Sequence, residues 1–67
     1  MPRGKEIDER ILKFLRKSKR PVSTRDIALE IGVSWHPVRF HCFQLQTAGR
    51  IDGFRVGNMN LWKIKEG

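Results

Sequence analysis

The residues best suited to chemistry lie in one stretch, "WHPVRFHCFQLQT", residues 35–47. His36, His41 and Cys42 are residue types that bind zinc, but a structural site uses a tetrahedron of ligands and the chain has 2 histidines and 1 cysteine. His41 and Cys42 are also adjacent, so their side chains diverge around a helix. We therefore expect no metal and no other cofactor. Cys42 is instead expected in the core, with His41 as a hydrogen-bonded structural residue beside it.

The same stretch carries side chains that recognise DNA bases. A helical wheel places Val38, Cys42 and Leu45 on one side, as in a helix that packs against a core. The other side and its flanks carry polar, basic and aromatic residues: His36, Arg39, Phe40, Phe43, Gln44, Gln46 and Thr47. Arginine pairs with guanine, glutamine pairs with adenine, and apolar rings contact thymine methyl groups. One interpretation of this pattern is a helix that contacts the bases of double-stranded DNA.

The aromatic rings leave other interpretations open. Trp35 is expected to be half buried, whereas Phe40 and Phe43 point away from the core side. Exposed rings on one helix also suit a homodimer or partner interface, which the hairpin residues Phe54 and Val56 would extend together with Leu61. A rotated helix would instead bury one ring under the hairpin, most readily Phe43. The charge alone leaves RNA binding open as well.

Composition and charge narrow the function further. The chain has 67 residues, with 14 lysines and arginines against 7 acidic residues, for a net charge of +7. Such a charge draws polyanions toward a protein. No glycine-rich phosphate loop, nucleophile elbow or paired carboxylates occur, so we expect no catalytic residues, no enzyme activity and no small-molecule substrate. A single cysteine and the lack of a long apolar run favour a cytoplasmic protein without a membrane partner, associated with the nucleoid if it is bacterial or archaeal.

Three helices are predicted before residue 50, after a loose tail at 1–4 and within one domain at 5–67. Apolar spacing and capping residues place them at 5–18, 24–31 and 35–48. Ser23, with Asp26 in the capping-box position, and Ser34 are the expected N-caps. Gly32 and Gly49 are expected just beyond the second and third helices, where positive φ angles occur. Between the first two helices, Pro21 and Val22 predict a short extended connection.

After Gly49 the periodicity changes to two, which is typical of strands. The segments 50–56 and 59–64 predict a β-hairpin joined by Gly57 and Asn58, in which the glycine fits a type II′ turn. That turn sets the register of three cross-strand pairs: Ile51 with Ile64, Asp52 with Lys63, and Gly53 with Trp62. A looser turn over 57–60 is equally allowed.

The spacing of Ala28, Gly32 and Val38, with "LQTAGRI" (45–51) and "LWKI" (61–64), carries a family resemblance. Residues 7–65 resemble a winged helix-turn-helix domain of bacterial and archaeal transcription regulators. The resemblance implies an α+β fold of three helices followed by a two-stranded hairpin. It further implies that helix 35–48 enters the major groove and that hairpin 50–65 acts as a wing on the backbone or minor groove.

A narrower resemblance concerns "LQTAGRI…NLWKI", which is similar to Z-DNA-binding winged-helix domains. Those domains hold the zigzag backbone with an Asn and a Tyr on the recognition helix and a Trp after the wing. The corresponding positions here are Arg39, Phe43 and Trp62. The Tyr hydroxyl and the Asn are therefore replaced, and residues 58–60 lack that family's proline pair. Z-DNA binding is an alternative function on this resemblance.

The remaining basic residues suit phosphate contacts, which set position and affinity. The predicted DNA-binding set is Arg25, Ser34, His36, Arg39, Phe40, Phe43, Gln46, Thr47, Arg50, Arg55, Asn58 and Lys63. The basic residues at 16–20 either extend this set or face solvent. We expect a small transcription regulator or a chromosome- or plasmid-associated protein. A homodimer, through the first helix or the exposed rings, is left open.

Overall fold

The computed structural model describes residues 4–65, which form three helices and three strands. In chain order these are α1 (Gly4–Lys17), β1 (Val22–Ser23), α2 (Thr24–Ile31), α3 (Trp35–Thr47), β2 (Ile51–Val56) and β3 (Met59–Ile64). The strands form one antiparallel sheet in the order β1-β3-β2. The predicted α+β winged helix-turn-helix fold is confirmed.

The first helix begins earlier than the sequence predicts. Gly4 opens α1, although the sequence assigned it to a loose tail. A Cβ atom at this position would lie 3.1 Å from Cε1 of His41, so glycine allows the N-terminus of α1 to approach α3 closely. Residues 1–3 of the predicted tail, and residues 66–67 of the predicted domain, lie outside the described residues.

The caps of α2 form as predicted. The Ser23 hydroxyl accepts a hydrogen bond from the Asp26 backbone N–H at 3.0 Å, and the Ser23 N–H donates to the Asp26 carboxylate at 3.4 Å. Gly32 follows the helix with φ 70° and ψ 33°, the left-handed conformation that glycine adopts without strain. This turn directs the chain from α2 into α3.

The ends of α3 follow the prediction only in part. Ser34 takes the N-cap position, but its side chain makes no capping hydrogen bond. The helix ends at Thr47, one residue before the predicted end. Gly49 then adopts φ 75°, and the Arg50 N–H donates to the Leu45 carbonyl at 2.9 Å. Together with the bond from the Gly49 N–H to the Gln46 carbonyl at 3.0 Å, it closes a Schellman motif that turns the chain into β2.

The sheet has one strand more than the sequence predicts. The predicted hairpin register is confirmed from Ile51 opposite Ile64 to Val56 opposite Met59. Gly57 has φ 62°, and in the part of the chain described only glycines take a positive φ, so the φ of Asn58 is negative. A type II′ turn has this pattern. In addition, Val22 and Ser23 pair with β3 as β1. Two residues are too few to show strand periodicity, so only the tertiary structure identifies this strand.

The core centres on Trp62, which is 1% exposed. Its indole N–H donates to the hydroxyl of Thr24 at 2.8 Å, and both groups are buried. A Cβ atom on the facing Gly53 would come within 2.4 Å of the Trp62 ring, so this glycine permits the strands to pair. The other core members are apolar: Ile7, Ile11, Leu12, Leu15, Ile27, Val38, Cys42, Leu45 and Ile51.

Candidate nucleic-acid interface

Every member of the predicted DNA-binding set is exposed. The structure nevertheless divides the set among three places. One group lies on the solvent side of α3, a second lies around the β2–β3 turn and the start of α2, and Lys63 lies at the far end of the hairpin.

On α3, three residues spaced four apart form an aromatic stripe: Trp35, Arg39 and Phe43. The Arg39 guanidinium carbon lies 5.6 Å from the Trp35 ring centroid and 4.9 Å from the Phe43 centroid. Both rings attract the cation through their π faces. The stripe remains accessible, with Trp35 45% and Phe43 37% exposed. It therefore presents a cation that two rings hold near the helix surface.

The core supports this stripe through Trp62. The rings of Phe43 and Trp62 meet edge to face, with centroids 5.1 Å apart and planes at 89°. The helical wheel placed Phe43 away from the core, and this is wrong for its inner edge. A wheel treats α3 alone, whereas the Trp62 side chain comes from β3 and reaches the Phe43 ring. The alternative prediction, in which Phe43 closes the core under the hairpin, is therefore confirmed for one edge of its ring, while the rest of the ring stays exposed.

Phe40 behaves differently from Phe43. It is 60% exposed, and its ring meets the His41 ring edge to face, with centroids 5.8 Å apart. Trp35, predicted to be half buried, is 45% exposed, and its ring contacts that of His36 at 4.9 Å between centroids, besides Arg39. Phe40 and Trp35 therefore widen the apolar part of the α3 surface.

Two predicted base readers are engaged within the protein. The Gln46 side-chain amide donates to the Gly53 carbonyl at 3.3 Å, which turns it toward β2. The Thr47 hydroxyl donates to the Phe43 carbonyl at 3.0 Å within the helix. The sequence shows neither bond. Both residues stay exposed, whereas the Arg39 guanidinium lies over two neighbouring rings.

A concavity joins the wing tip to the helix-turn-helix. It has a volume of about 240 Å³ and is lined by Ser23, Thr24, Arg25, Trp35, Asn58, Met59 and Asn60. Arg25 and Asn58 thus meet at the end of the stripe that Trp35 occupies. Nearby, the Arg55 side chain donates to the Gly57 carbonyl at 3.3 Å, which keeps its positive charge at the turn. These contacts place two cations and an amide beside the first turn of α3.

Strand alternation separates Lys63 from this surface. The inward residues Gly53 and Trp62 contact α3. Their neighbours along each strand therefore point to the opposite face of the sheet. Lys63 and Asp52 face each other on that outer side. Phe54 and Leu61 share it, so the apolar patch expected to join them with the α3 rings is split between two faces.

Of the three residues with metal or redox chemistry, Cys42 is buried, His41 is half-buried beside it and His36 is exposed. The Nδ1 atom of His41 lies 2.8 Å from the Asp8 carboxylate, linking α3 to α1 across 33 residues of sequence. Burial, with a contribution from the charge of Asp8, raises the pKa of the Cys42 thiol to about 12. Such a thiol stays protonated and unreactive near neutral pH. Among residues 4–65 no group of three or more His, Cys, Asp or Glu side chains could hold a metal ion.

Electrostatically, the outer surface is largely free of internal neutralisation. Within residues 4–65 the ion pairs are Arg10 with Glu6 at 3.1 Å and His41 with Asp8. None of the basic residues of the predicted set is in an ion pair within that range. No helix in the same range has the length and apolar character needed to cross a membrane.

Comparisons with known proteins agree with this architecture. Residues 7–66 match the sequence profile of a family described as "FaeA-like protein". The Zalpha domain of Carassius auratus PKZ in complex with Z-DNA superposes with a TM-score of 0.83 at 22% identity, covering 92% of this chain and 97% of that chain. No curated protein sequence matches the chain.

Two further solved structures have the same fold. The apo Zalpha domain of zebrafish PKZ has a TM-score of 0.83 at 25% identity, covering 94% of this chain and 97% of that chain. The ORF112 Zalpha domain of Cyprinid Herpesvirus3, studied for its binding mode to Z-DNA, has a TM-score of 0.80 at 22% identity, with coverages of 96% and 100%. The winged-helix resemblance predicted from the sequence is confirmed.

Proposed function

We propose that this protein, which belongs to the FaeA-like protein family, is a winged-helix DNA-binding protein that serves as a small transcription regulator. The solvent side of α3 enters the major groove of a right-handed duplex, and the β2–β3 turn lies along the backbone beside it. The winged-helix fold and its likeness to domains solved with Z-DNA support a nucleic-acid partner.

The observation that carries the proposal is the support of Arg39 by two rings. A guanidinium stacked on aromatic faces keeps its planar edge of N–H donors free. Arg39 lies over Trp35 and Phe43 in this way, on the exposed side of the helix. The stacking reduces the conformational freedom that a long side chain would otherwise lose on binding. Arg39 is therefore suited to paired hydrogen bonds with a guanine.

The neighbouring cations suit the backbone that flanks such a base contact. Arg25 and Asn58 line the concavity at the start of α3, and Arg55 lies at the turn. Arg50 follows the other end of the helix. Phosphate contacts at both ends of a recognition helix fix its register in the groove without reading sequence. The net charge of +7 adds long-range attraction.

Left-handed DNA is a second candidate ligand, and one observation favours it. Arg39, Phe43 and Trp62, the positions that correspond to the Z-DNA contacts of similar domains, form one continuous set of ring contacts here. Two features weigh against it. The Trp62 N–H is already donated to Thr24, and the indole is buried. Phe43 has no hydroxyl to offer a phosphate.

Fluorescence anisotropy with a labelled mixed-sequence duplex over a salt series tests the proposal. The logarithm of affinity should fall linearly with the logarithm of salt concentration, by about 0.9 for each phosphate contacted. Arg25→Ala should lower this slope by about one contact. Arg10→Ala is the matched control. It removes the same charge, but Arg10 lies on α1 and is paired with Glu6, so the slope should not change.

The contrary results are distinct. Weak binding that does not depend on salt would contradict DNA binding and would favour a protein-interaction domain that docks through Phe40. Competition with single-stranded DNA, RNA and an alternating CG duplex in its left-handed form separates the nucleic-acid classes. Preferential competition by the left-handed duplex would establish the second candidate in place of the first.

A further inference from the structure

A second basic surface lies at the base of the wing, away from α3. We call Lys19, Arg20 and Lys63 the wing-base cluster. Together with Ser18, Pro21, Asp52 and Ile64 they line a concavity of about 520 Å³. It is larger than the concavity of about 240 Å³ at the wing tip. The predicted DNA-binding set contains only one of the three cations, Lys63, because the sequence does not show that the α1–β1 connection runs beside β3.

The wing-base cluster and the aromatic stripe face different directions. Lys63 points to the outer side of the sheet, whereas its neighbour Trp62 points inward to Phe43 of α3. Along β3, Lys63 is also four residues from Met59, the first strand residue after the turn, which corresponds to about 13 Å. A duplex held by α3 and the wing tip would therefore leave the base of the wing accessible.

The charge of this concavity is only partly balanced within the protein. None of Lys19, Arg20 and Lys63 forms an ion pair in the described range. Asp52 is the single acidic residue in the lining, so three cations stand against one carboxylate. Lys19 and Arg20 also follow the end of α1, which lies at Lys17, so they extend beyond its last turn. A concave surface of this charge fits an anion held by several side chains at once.

We infer that the wing-base cluster binds the phosphodiester backbone of a second duplex, so that one molecule bridges two DNA segments. The inference rests on the proposed function, because α3 must hold the first duplex. The chemistry is that of backbone contact alone, since Lys19 and Arg20 lie on a connection and Lys63 on a strand, with no helix among them to enter a groove. The second duplex is therefore held without sequence preference and more weakly than the first.

A bead assay with two duplexes tests this inference on the full chain. One duplex is biotinylated and immobilised, and a second, fluorescent duplex is added with protein. Wild-type protein should retain the fluorescent duplex on the beads. Lys19→Ala with Arg20→Ala should reduce this retention at least about fivefold, because two phosphate contacts are lost.

The matched control removes the same charge from α1, away from the wing-base cluster. Lys5→Ala with Lys13→Ala affects exposed residues, and Lys13 borders the groove between α1 and α2 rather than the wing. Both double variants should bind a single duplex with affinities within about twofold of each other. A protein dimer could also retain the second duplex if each of its two protomers held one duplex through α3. Sedimentation of each variant without DNA checks for such dimers.

Several outcomes would overturn the inference. Equal retention by the two double variants would assign bridging to another surface. Reduced single-duplex affinity in Lys19→Ala with Arg20→Ala, without retention of the second duplex by wild type, would mean that the cluster extends the footprint on one duplex. If wild-type protein binds no immobilised duplex at all, the proposed function fails and the inference fails with it. Intact single-duplex binding without retention refutes bridging alone.

Discussion

The two sides of α3 are held in different ways. On the inner side Val38 and Cys42 are 0% exposed, and burial fixes where the helix lies. On the outer side Arg39 is fixed only by two exposed rings, of which Phe43 alone reaches the core through Trp62. The comparison indicates that the residues that fix the position of α3 differ from the residues available to contact DNA. Changes on the inner side should cost stability, and changes on the outer side should cost binding with the fold intact.

The largest effect is expected at Trp62, which connects the two sides. Trp62→Ala removes a large buried ring and leaves the Thr24 hydroxyl buried without its donor. Such a truncation costs about 3–5 kcal/mol in the free energy of unfolding, a large part of the stability of a small domain. Urea denaturation followed by circular dichroism measures it. Leu29→Ala, at a residue 72% exposed, is the control and should stay within about 0.5 kcal/mol of wild type.

The next largest effect concerns binding rather than stability. Arg39→Ala should weaken binding by about 1–3 kcal/mol and relax base preference at one position of the site. Arg39→Lys keeps the charge but loses the planar, stacked donor, so it should also lose most of that preference. Anisotropy titrations against duplexes substituted at each position provide the measurement. If Arg39→Ala binds every duplex as Arg10→Ala does, then α3 is not the reading helix.

On the inner side, a pH effect should come from Cys42. Because folding raises the pKa of its thiol to about 12, the unfolded state releases the proton first as the pH rises from 9. The contribution is therefore fully present below about pH 9 and is lost toward pH 12. The loss between pH 9 and pH 10 should be about 1 kcal/mol. Urea melts of wild type and Cys42→Ala at both pH values measure it. An equal change in both proteins would contradict this origin.

The smallest effect is expected at Trp35. Trp35→Ala removes one of the two rings under Arg39, and exposed cation–π contacts contribute about 0.5–1 kcal/mol. Binding should weaken by that amount while the unfolding midpoint stays nearly unchanged, because Trp35 is 45% exposed. A double-mutant cycle with Arg39→Ala isolates the contact. Full additivity of the two changes would mean that the ring does not support the arginine.

Much of the fold could be predicted because its signals are local. The capping box at Ser23, the left-handed Gly32 and the hairpin register set by Gly57 each depend on residues a few positions apart. The inner side of α3 was also predictable, since helical periodicity alone groups Val38 with Cys42. These features follow from backbone conformational preference and side-chain spacing, which are properties of the chain itself.

The candidate site was predictable as a list but not as an arrangement. The sequence identified exposed residues correctly, yet it gave no sign that Gln46 bonds to Gly53 or that Lys63 lies on the opposite face from α3. The support of Arg39 by Trp35 could have been found, because residues four apart on a helix are neighbours. A helical wheel that sorts residues only by distance from the core does not show this pair.

The sequence by itself determined three helices, a hairpin, its register and a strongly basic surface, because helix periodicity, strand alternation and turn chemistry are written in neighbouring residues. Only the tertiary structure decided the short strand β1, the pairing of Trp62 with Thr24 across 38 residues and the contact between Phe43 and Trp62. These depend on which elements pack together. The packing of the elements depends on burial of the whole core, and the spacing of neighbouring residues does not predict it.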